Sequence, residues 1–225
     1  MPALAEDQQR ALHAQLTTGL TALQLSLDNT QIQGLLDFVT LLERWNRIYN
    51  LTAITDPHEI VARHILDSLS IAAHLEGREF IDVGTGAGLP GLPLAVANPR
   101  ARFTLLDSNG KKTRFLVHAK NTLQLKNVDV VQHRVESYQP PRQYDGVISR
   151  AFAAAGEMVS ACAHLKTARG SLYAMKGRQP EEELRALPKP YKVVACHTLQ
   201  VPGVVGARHL IVISDALPAP TKALV

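Results

Sequence analysis

The residues best placed to do chemistry begin with Gly84, Gly86, Gly88 and Gly91, directly behind the apolar run Phe80–Val83. Missing Cβ atoms at this spacing let the backbone turn tightly and let a ligand lie against it. A carboxylate, Asp107, ends the next apolar run about 20 residues on, the offset at which an acidic residue meets a ribose in nucleotide-binding folds. A ligand-free strand-to-helix turn and a strand-end turn residue are the rival readings, and both stay open on these residues alone. The remaining candidates are mostly cationic. Arg63 and His64 lie with Asp67 and Ser68 within one and a half turns of a helical stretch, and Lys111, Lys112 and Arg114 follow the Asp107 turn. Arg150 and Lys176 close two later apolar runs. Such groups hold phosphates or offset developing negative charge, or else they are solvated faces and anchors.

The elements that must position these residues follow from periodicity. Leucines 12, 16, 20, 23 and 27 predict an amphipathic helix from Leu4 to about Leu27. A second helix starts behind Asp28 and Asn29, carries Ile32, Leu35, Leu36, Val39, Leu42, Trp45 and Ile48 on its buried stripe, and ends near Asn50. A third opens at Asp56-Pro57-His58-Glu59, with Gly77 as its stop. The grammar then changes to alternation. Strands are expected at Phe80–Val83, Arg102–Leu106, Val128–Val131, Tyr144–Ser149 and Ser171–Met175, with helices over Leu89–Ala97, Lys111–Leu125, Glu157–Leu165 and Glu181–Leu187. Lys192–Leu199 and His209–Ile213 are strands joined by a loop too short for a crossover helix, so they pair antiparallel. This predicts an α/β fold, a doubly wound, mostly parallel sheet with ligands at the carboxyl ends of its strands. The division expected is a helical N-terminal extension over 1–77 packed on the core, a core over 78–217 and a flexible tail over 218–225.

Composition narrows the class. A chain of 225 residues, 46% hydrophobic and 20% charged, reads as globular and excludes disordered and fibrous classes. Cys162 and Cys196 are too few for a disulfide framework, and the nine histidines show no zinc-ligand spacing, so no metal is expected. With neither a signal pattern nor a membrane span in the sequence, a cytoplasmic protein is expected. Charge is divided: residues 1–99 hold five Lys/Arg against eleven Asp/Glu, whereas 100–225 hold nineteen against nine. A basic second half suits a polyanion partner, with a solvated basic surface as the alternative.

The cofactor class is only partly separable from the residues. Gly84, Gly86 and Gly88 form Gly-x-Gly-x-Gly with Leu89 next, a poor match to the Gly-x-Gly-x-x-Gly of dinucleotide folds. S-adenosylmethionine carries ribose without a pyrophosphate, so that loop and Asp107 suit it, and the terminal antiparallel hairpin favours a class I methyltransferase. A nucleotide-dependent oxidoreductase and a non-catalytic RNA-binding assembly factor remain the alternatives.

Five blocks together resemble a known family: Asn46-Arg-Ile-Tyr-Asn-Leu-Thr52, Arg63-His-Ile-Leu-Asp-Ser68, Asp82 to Gly91, Asp107-Ser108 with Lys111 to Leu116, and Ser149-Arg-Ala-Phe152. They are similar to the RsmG family of bacterial 16S rRNA guanine-N7 methyltransferases, also called glucose-inhibited division protein B, over roughly residues 30–215. The resemblance implies a class I S-adenosylmethionine-dependent methyltransferase with a Rossmann-like, mostly parallel seven-stranded sheet ending in an antiparallel hairpin. It also implies a monomeric cytosolic enzyme that methylates N7 of guanosine 527 in the 530 loop of 16S rRNA, in the 30S subunit or a precursor. Cofactor contacts implied by the family fall on Gly84, Leu89, Val135, Glu136 and Arg150, beside Gly86, Gly88 and Asp107 from the residues themselves. Arg63, His64, Lys111, Lys112 and Arg114 are the RNA-side candidates. Ala87 stands where many members have proline, and Lys112 where arginine is frequent, which removes the bidentate option there.

Guanine N7 carries no proton, so its methylation needs no general base. Consistently, the fourth strand ends in Ser149-Arg150-Ala151-Phe152 rather than the Asn/Asp-Pro-Pro-aromatic motif of exocyclic-amine methylation. Catalysis would come from proximity and alignment, with Arg150 or Lys176 as donors to guanine O6. Trp45 and Tyr49 read as core, and Asn46 and Asn50 as local caps.

Overall fold

The computed structural model describes residues 6–177 and 187–215. The tail over 218–225 and, apart from Leu187, the charged helix expected at Glu181–Leu187 fall outside the described residues. Helix α1 spans Glu6–Ala22 and α2 spans Asn29–Tyr49. The Asp28 carboxylate caps α2 by accepting from Gln31 N–H, while the Gln31 side chain accepts from Asp28 N–H. Ile32, Leu35, Val39 and Leu42 of the expected stripe are buried, and Leu36 and Trp45 are partly so. Phe38, Leu41 and Asn46 are buried as well, whereas Ile48, in the last turn of α2, is 73% exposed.

The third helical stretch starts as expected, with Asp56 accepting from Glu59 N–H. Glu59 instead pairs with Arg63 through its side chain, so no reciprocal capping box forms. Helix α3 (Pro57–Ile60) runs into a π-helical segment (Val61–Leu66) and then α4 (Asp67–Leu69). The α-helical part ends there, where Ser70 Oγ donates to Asp67 O at 2.7 Å and Ile71 turns into the core, and a 3-10 turn over Ala72–His74 brings the chain to within three residues of Gly77. Gly77 (φ +110°) serves the next element: Asp145 packs against it and accepts from the N–H groups of Arg78 and Glu79.

Among the described residues seven strands follow: β1 (Glu79–Val83), β2 (Arg102–Asp107), β3 (Val128–Gln132), β4 (Tyr144–Ser149), β5 (Lys166–Lys176), β6 (Lys192–Thr198) and β7 (His209–Ser214). Helices α5 (Gly91–Ala97), α6 (Gly110–Thr122) and α7 (Ala155–Cys162) lie among them. Strand β5 begins five residues before the expected Ser171, where Lys166 pairs with Tyr144 across a register shift and its ammonium meets Asp215 at 2.5 Å. The order is β3-β2-β1-β4-β5-β7-β6, with β7 antiparallel to both neighbours and the rest parallel. The chain winds outward from β1 to β3, then restarts on the other side of β1 at β4, which puts the switch point between the carboxyl ends of β1 and β4.

Alternating side chains feed two cores. Phe80 and Phe103 stack at 5.3 Å on the face covered by α1, α2, α5 and α6, while Ile81, Val83, Ile211 and Ile213 pack against Met158, Val159 and Cys162 of α7. Trp45 joins the first face, its ring 5.5 Å from Phe115, but Tyr49, expected in the core, stacks on its outer side and is 43% exposed. Among the described residues no helix is long and apolar enough to cross a membrane.

Candidate active site

The loop after β1 is held open by polar bonds within its own neighbourhood. Gly84 takes φ +68°, and a Cβ there would stand 2.7 Å from that of Ala151, so the β1 and β4 ends approach only because position 84 has none. Ser149 fastens them: Oγ donates to Val83 O at 2.7 Å and accepts from Ala151 N–H at 3.0 Å. Asp82 ties the loop's two ends together, accepting from Thr85 Oγ at 2.6 Å and Gly91 N–H at 2.8 Å. It is fully buried, and desolvation lifts its carboxyl to about 6 despite those donors. Sequence reasoning gave Asp82 no role, although a carboxylate inside a buried run is itself a signal, since such groups are rarely enclosed without partners.

Asp107 accepts Gly86 N–H on Oδ2 at 2.9 Å and Asn109 N–H on Oδ1 at 2.8 Å, with Lys112 Nζ 3.9 Å away. Each oxygen keeps a lone pair for a further donor. Beyond Gly86 (φ +61°) a side chain would enter open space, with Lys112 Nζ no nearer than 3.8 Å. The resulting cleft, of ≈ 260 Å³, brings together Gly84, Asp107, Lys112, Val135, Glu136 and Phe152. Apolar walls around a carboxylate with spare lone pairs fit a nucleoside: ring faces against Val135 and Phe152, ribose hydroxyls toward Asp107.

Gly88 and Leu89 do not line the cleft. Gly88 packs on Leu92 and Leu116, and Leu89 is buried in the turn that opens α5. Arg150 points away from the cleft toward the helices: Nη1 lies 3.3 Å from Asp67 Oδ2, and Asp67 Oδ1 accepts from Arg208 Nε at 3.1 Å. Arg208 was not found from sequence, because a single arginine in a Gly-Ala loop carries no local pattern. Lys176 Nζ donates to the backbone oxygens of Phe152 (3.0 Å) and Ala153, clasping the β4 loop. His64 is buried with both ring nitrogens engaged. Nδ1–H donates to Arg63 O at 3.2 Å, which leaves Nε2 to accept the Thr52 hydroxyl at 2.8 Å. Desolvation, with the Arg150 charge nearby, lowers it to about 4, so the ring is neutral at pH 7. Arg63, Lys111 and Arg114 are exposed; Arg63 pairs with Glu59, and Arg114 Nε donates to Gly110 O. Asn46 is buried and organises the turn after α2, accepting from Thr52 N–H at 2.8 Å. Burial raises the Cys162 thiol to about 12, leaving it inert at neutral pH. No group of three His, Cys, Asp or Glu side chains suited to a metal occurs among the described residues.

A seven-stranded sheet of this order, with a glycine turn after β1 and an acidic residue ending β2, defines a class I S-adenosylmethionine-dependent methyltransferase. The solved coclaurine N-methyltransferase, bound to N-methylheliamine and SAH, shares this fold, with a TM-score of 0.53 at 14% identity over 88% of this chain and 75% of that one. Sequence is more specific. The family model for rRNA small subunit methyltransferase G, GidB, matches residues 31–211. The ribosomal RNA small subunit methyltransferase G of Escherichia coli O17:K52:H18 is 50% identical over 198 residues, 88% of this chain and 96% of that protein. Its counterpart from Idiomarina loihiensis is 48% identical over 200 residues, 89% and 97% of the two chains. The chain belongs to the rRNA small subunit methyltransferase G family.

Proposed function

We propose that the protein transfers a methyl group from S-adenosylmethionine to N7 of a guanosine in small-subunit rRNA, guanosine 527 of the 530 loop in 16S rRNA. The observation that carries this reading is the commitment of the polar groups around the β1–β4 switch point. His64 and Lys176 are bonded within the protein, Arg150 is paired with Asp67, Asp82 is fully buried behind the glycine turn, and Asp107 faces the cofactor cleft. Such an edge suits a reaction at a nitrogen that has no proton to lose.

When bound, the cofactor supplies an electrophilic methyl group on a sulfonium. The chain's own contribution is placement. Gly84 and Gly86 leave the backbone bare, Asp107 would accept the ribose hydroxyls, and Val135 and Phe152 would flank the base and exclude water. Glu136 extends this rim. Gly88 and Leu89 shape the turn rather than touch the ligand. Lys176 positions the Phe152 wall through the backbone it clasps, and the Asp67-held Arg150 presents positive charge at the substrate side of the same loop. Exposed Lys111 and Arg114, with half-buried Lys112 at the cleft rim, suit RNA phosphates, and His64 supports the fold through Thr52. We read residues up to 77 as a helical layer on the methyltransferase core and the protein as a cytoplasmic monomer acting on the 30S subunit or a precursor.

The test incubates protein and methyl-labelled cofactor with 30S subunits lacking the modification, then maps aniline-sensitive sites in the rRNA. Label and cleavage at guanosine 527 are expected. Selective binding of NAD(P)H, or label at another base, would overturn the reading.

A further inference from the structure

A second cleft, of ≈ 440 Å³, opens between the end of α2 and the loop that follows it, lined by Glu43, Asn46, Arg47, Asn50, Thr52 and Thr55. Larger hollows exist, but they lie elsewhere. One separates α1 from α2, and another meets Arg102 and Asn127 at the starts of β2 and β3, the edge of the sheet opposite the cofactor cleft. The α2 cleft is on the functional edge. Its floor residue Thr52 bonds His64, whose ring feels the charge of Arg150, and the next two residues, Ala151 and Phe152, line the cofactor cleft. Thr52, His64 and Arg150 therefore link the α2 cleft to the segment after β4 that lines the cofactor cleft.

The inner wall is rigid. Asn46 accepts from Thr52 N–H at 2.8 Å and donates to Ile54 O at 3.3 Å, and the Thr52 hydroxyl is held by His64. The Glu43 side chain is only 13% exposed, and its partner Arg47, one turn on, is 73% exposed. A pair so open on one side is worth about 1 kcal/mol or less, so Arg47 is easily drawn aside. Asn50 and Thr55 side chains have no hydrogen-bond partner among the described residues. An enclosed carboxylate disfavours a phosphate here and favours a ligand with two adjacent N–H donors. Guanine offers that arrangement at N1–H and its 2-amino group; adenine does not, because its N1 is an acceptor.

We propose that this cleft is the specificity pocket for the target guanine, with Glu43 accepting from N1–H and the 2-amino group while Asn50 or Arg47 donates to O6. Recognition through the Watson–Crick edge leaves the edge bearing N7 free for the methyl group. The inference rests on the guanine-N7 reading above.

The experiment compares small subunits reconstituted with guanosine or inosine at the methylated position; inosine keeps N7 and lacks the 2-amino group. Wild-type protein is expected to lose about tenfold or more in kcat/KM on inosine. Glu43→Ala should lose a similar factor on guanosine and bring the two substrates within about twofold of each other. Glu43→Gln, which keeps one acceptor, should fall between. Calorimetric cofactor affinity should match wild type in both variants. Wild-type inosine discrimination in Glu43→Ala, or weakened cofactor binding, overturns the pocket. Absence of wild-type label at guanine N7 overturns the underlying reading instead, and the aniline map distinguishes the two failures.

Discussion

Asp107 and Asp67 are both buried carboxylates at the carboxyl edge of the sheet, each bound on both oxygens, yet their partners come from different distances and carry different charge. Asp107 takes two backbone N–H groups, from Asn109 two residues away and Gly86 21 residues away. Asp67 takes two guanidinium groups, one of them 141 residues away in Arg208. Two amides, with the Lys112 ammonium no nearer than 3.9 Å, leave the Asp107 charge mostly uncompensated and its carboxylate at an open cleft, so it can serve a ligand. Two arginines overcompensate Asp67, which therefore works as a tie between helix α4, the end of β4 and the loop before β7. A carboxylate at the same sheet edge becomes a binding group or a structural one according to what already holds it.

Four perturbations test this contrast. Gly86→Asp places a carboxylate beside Asp107 in the space the cofactor needs. Methyl transfer should fall at least about 100-fold, while backbone strain at φ +61° costs only about 1 kcal/mol. Label incorporation beside a urea titration checks this, and full activity would remove the cradle. Asp67→Ala leaves two partly buried guanidinium groups facing each other. With the arginine side chains 27–29% exposed, solvent screening brings the expected loss to about 2–3 kcal/mol, read from denaturant midpoints. A double-mutant cycle with Arg208→Ala should show non-additivity; additive losses would mean that the tie does not exist.

The third perturbation uses pH. His64 falls from 6.5 in the unfolded chain to about 4 when folded, so the unfolded state binds more protons between those values and stability rises with pH across that window. The full effect is up to about 3 kcal/mol. Asp82, lifted from 3.8 to about 6, acts oppositely: the folded state binds the extra proton, and stability falls as pH climbs through 3.8–6. The His64 contribution is therefore isolated by subtracting a His64→Asn variant from wild type. The difference should grow from pH 4 to 6.5, and a flat difference would show that the ring is not desolvated. The smallest expected effect is Asp107→Asn, which keeps one acceptor oxygen and should weaken cofactor affinity about tenfold by calorimetry. A variant that binds as tightly as wild type would move the ribose elsewhere.

The legible parts of this chain are the ones whose partners are near in sequence. Asp28 with Gln31 and Asp56 with Glu59 N–H are capping spacings readable at three residues. The strands of the parallel core appeared as apolar runs, and the short Val201–Ala207 loop required the antiparallel ending. The failures share the opposite property. Gly77 looked like a helix stop, but it is shaped by Asp145 across the sheet; Ile48 continued a periodic stripe beyond the point where anything covers it. The π-helical segment that carries Arg63 and His64 leaves no mark in the pattern, because it shows only in which carbonyl each N–H finds.

Read by itself, the chain determined the order of its elements, the glycine turn and the acid that follows it, because backbone freedom, capping and alternation are local physics. Which charged residues remain available to a ligand was a tertiary decision. Arg150 is turned to Asp67, His64 to Thr52 and Lys176 to the Phe152 carbonyl, while Asp107 retains free lone pairs. A buried charge must be compensated by whatever the fold brings within a few ångströms, and that neighbour is set by packing rather than by spacing along the chain.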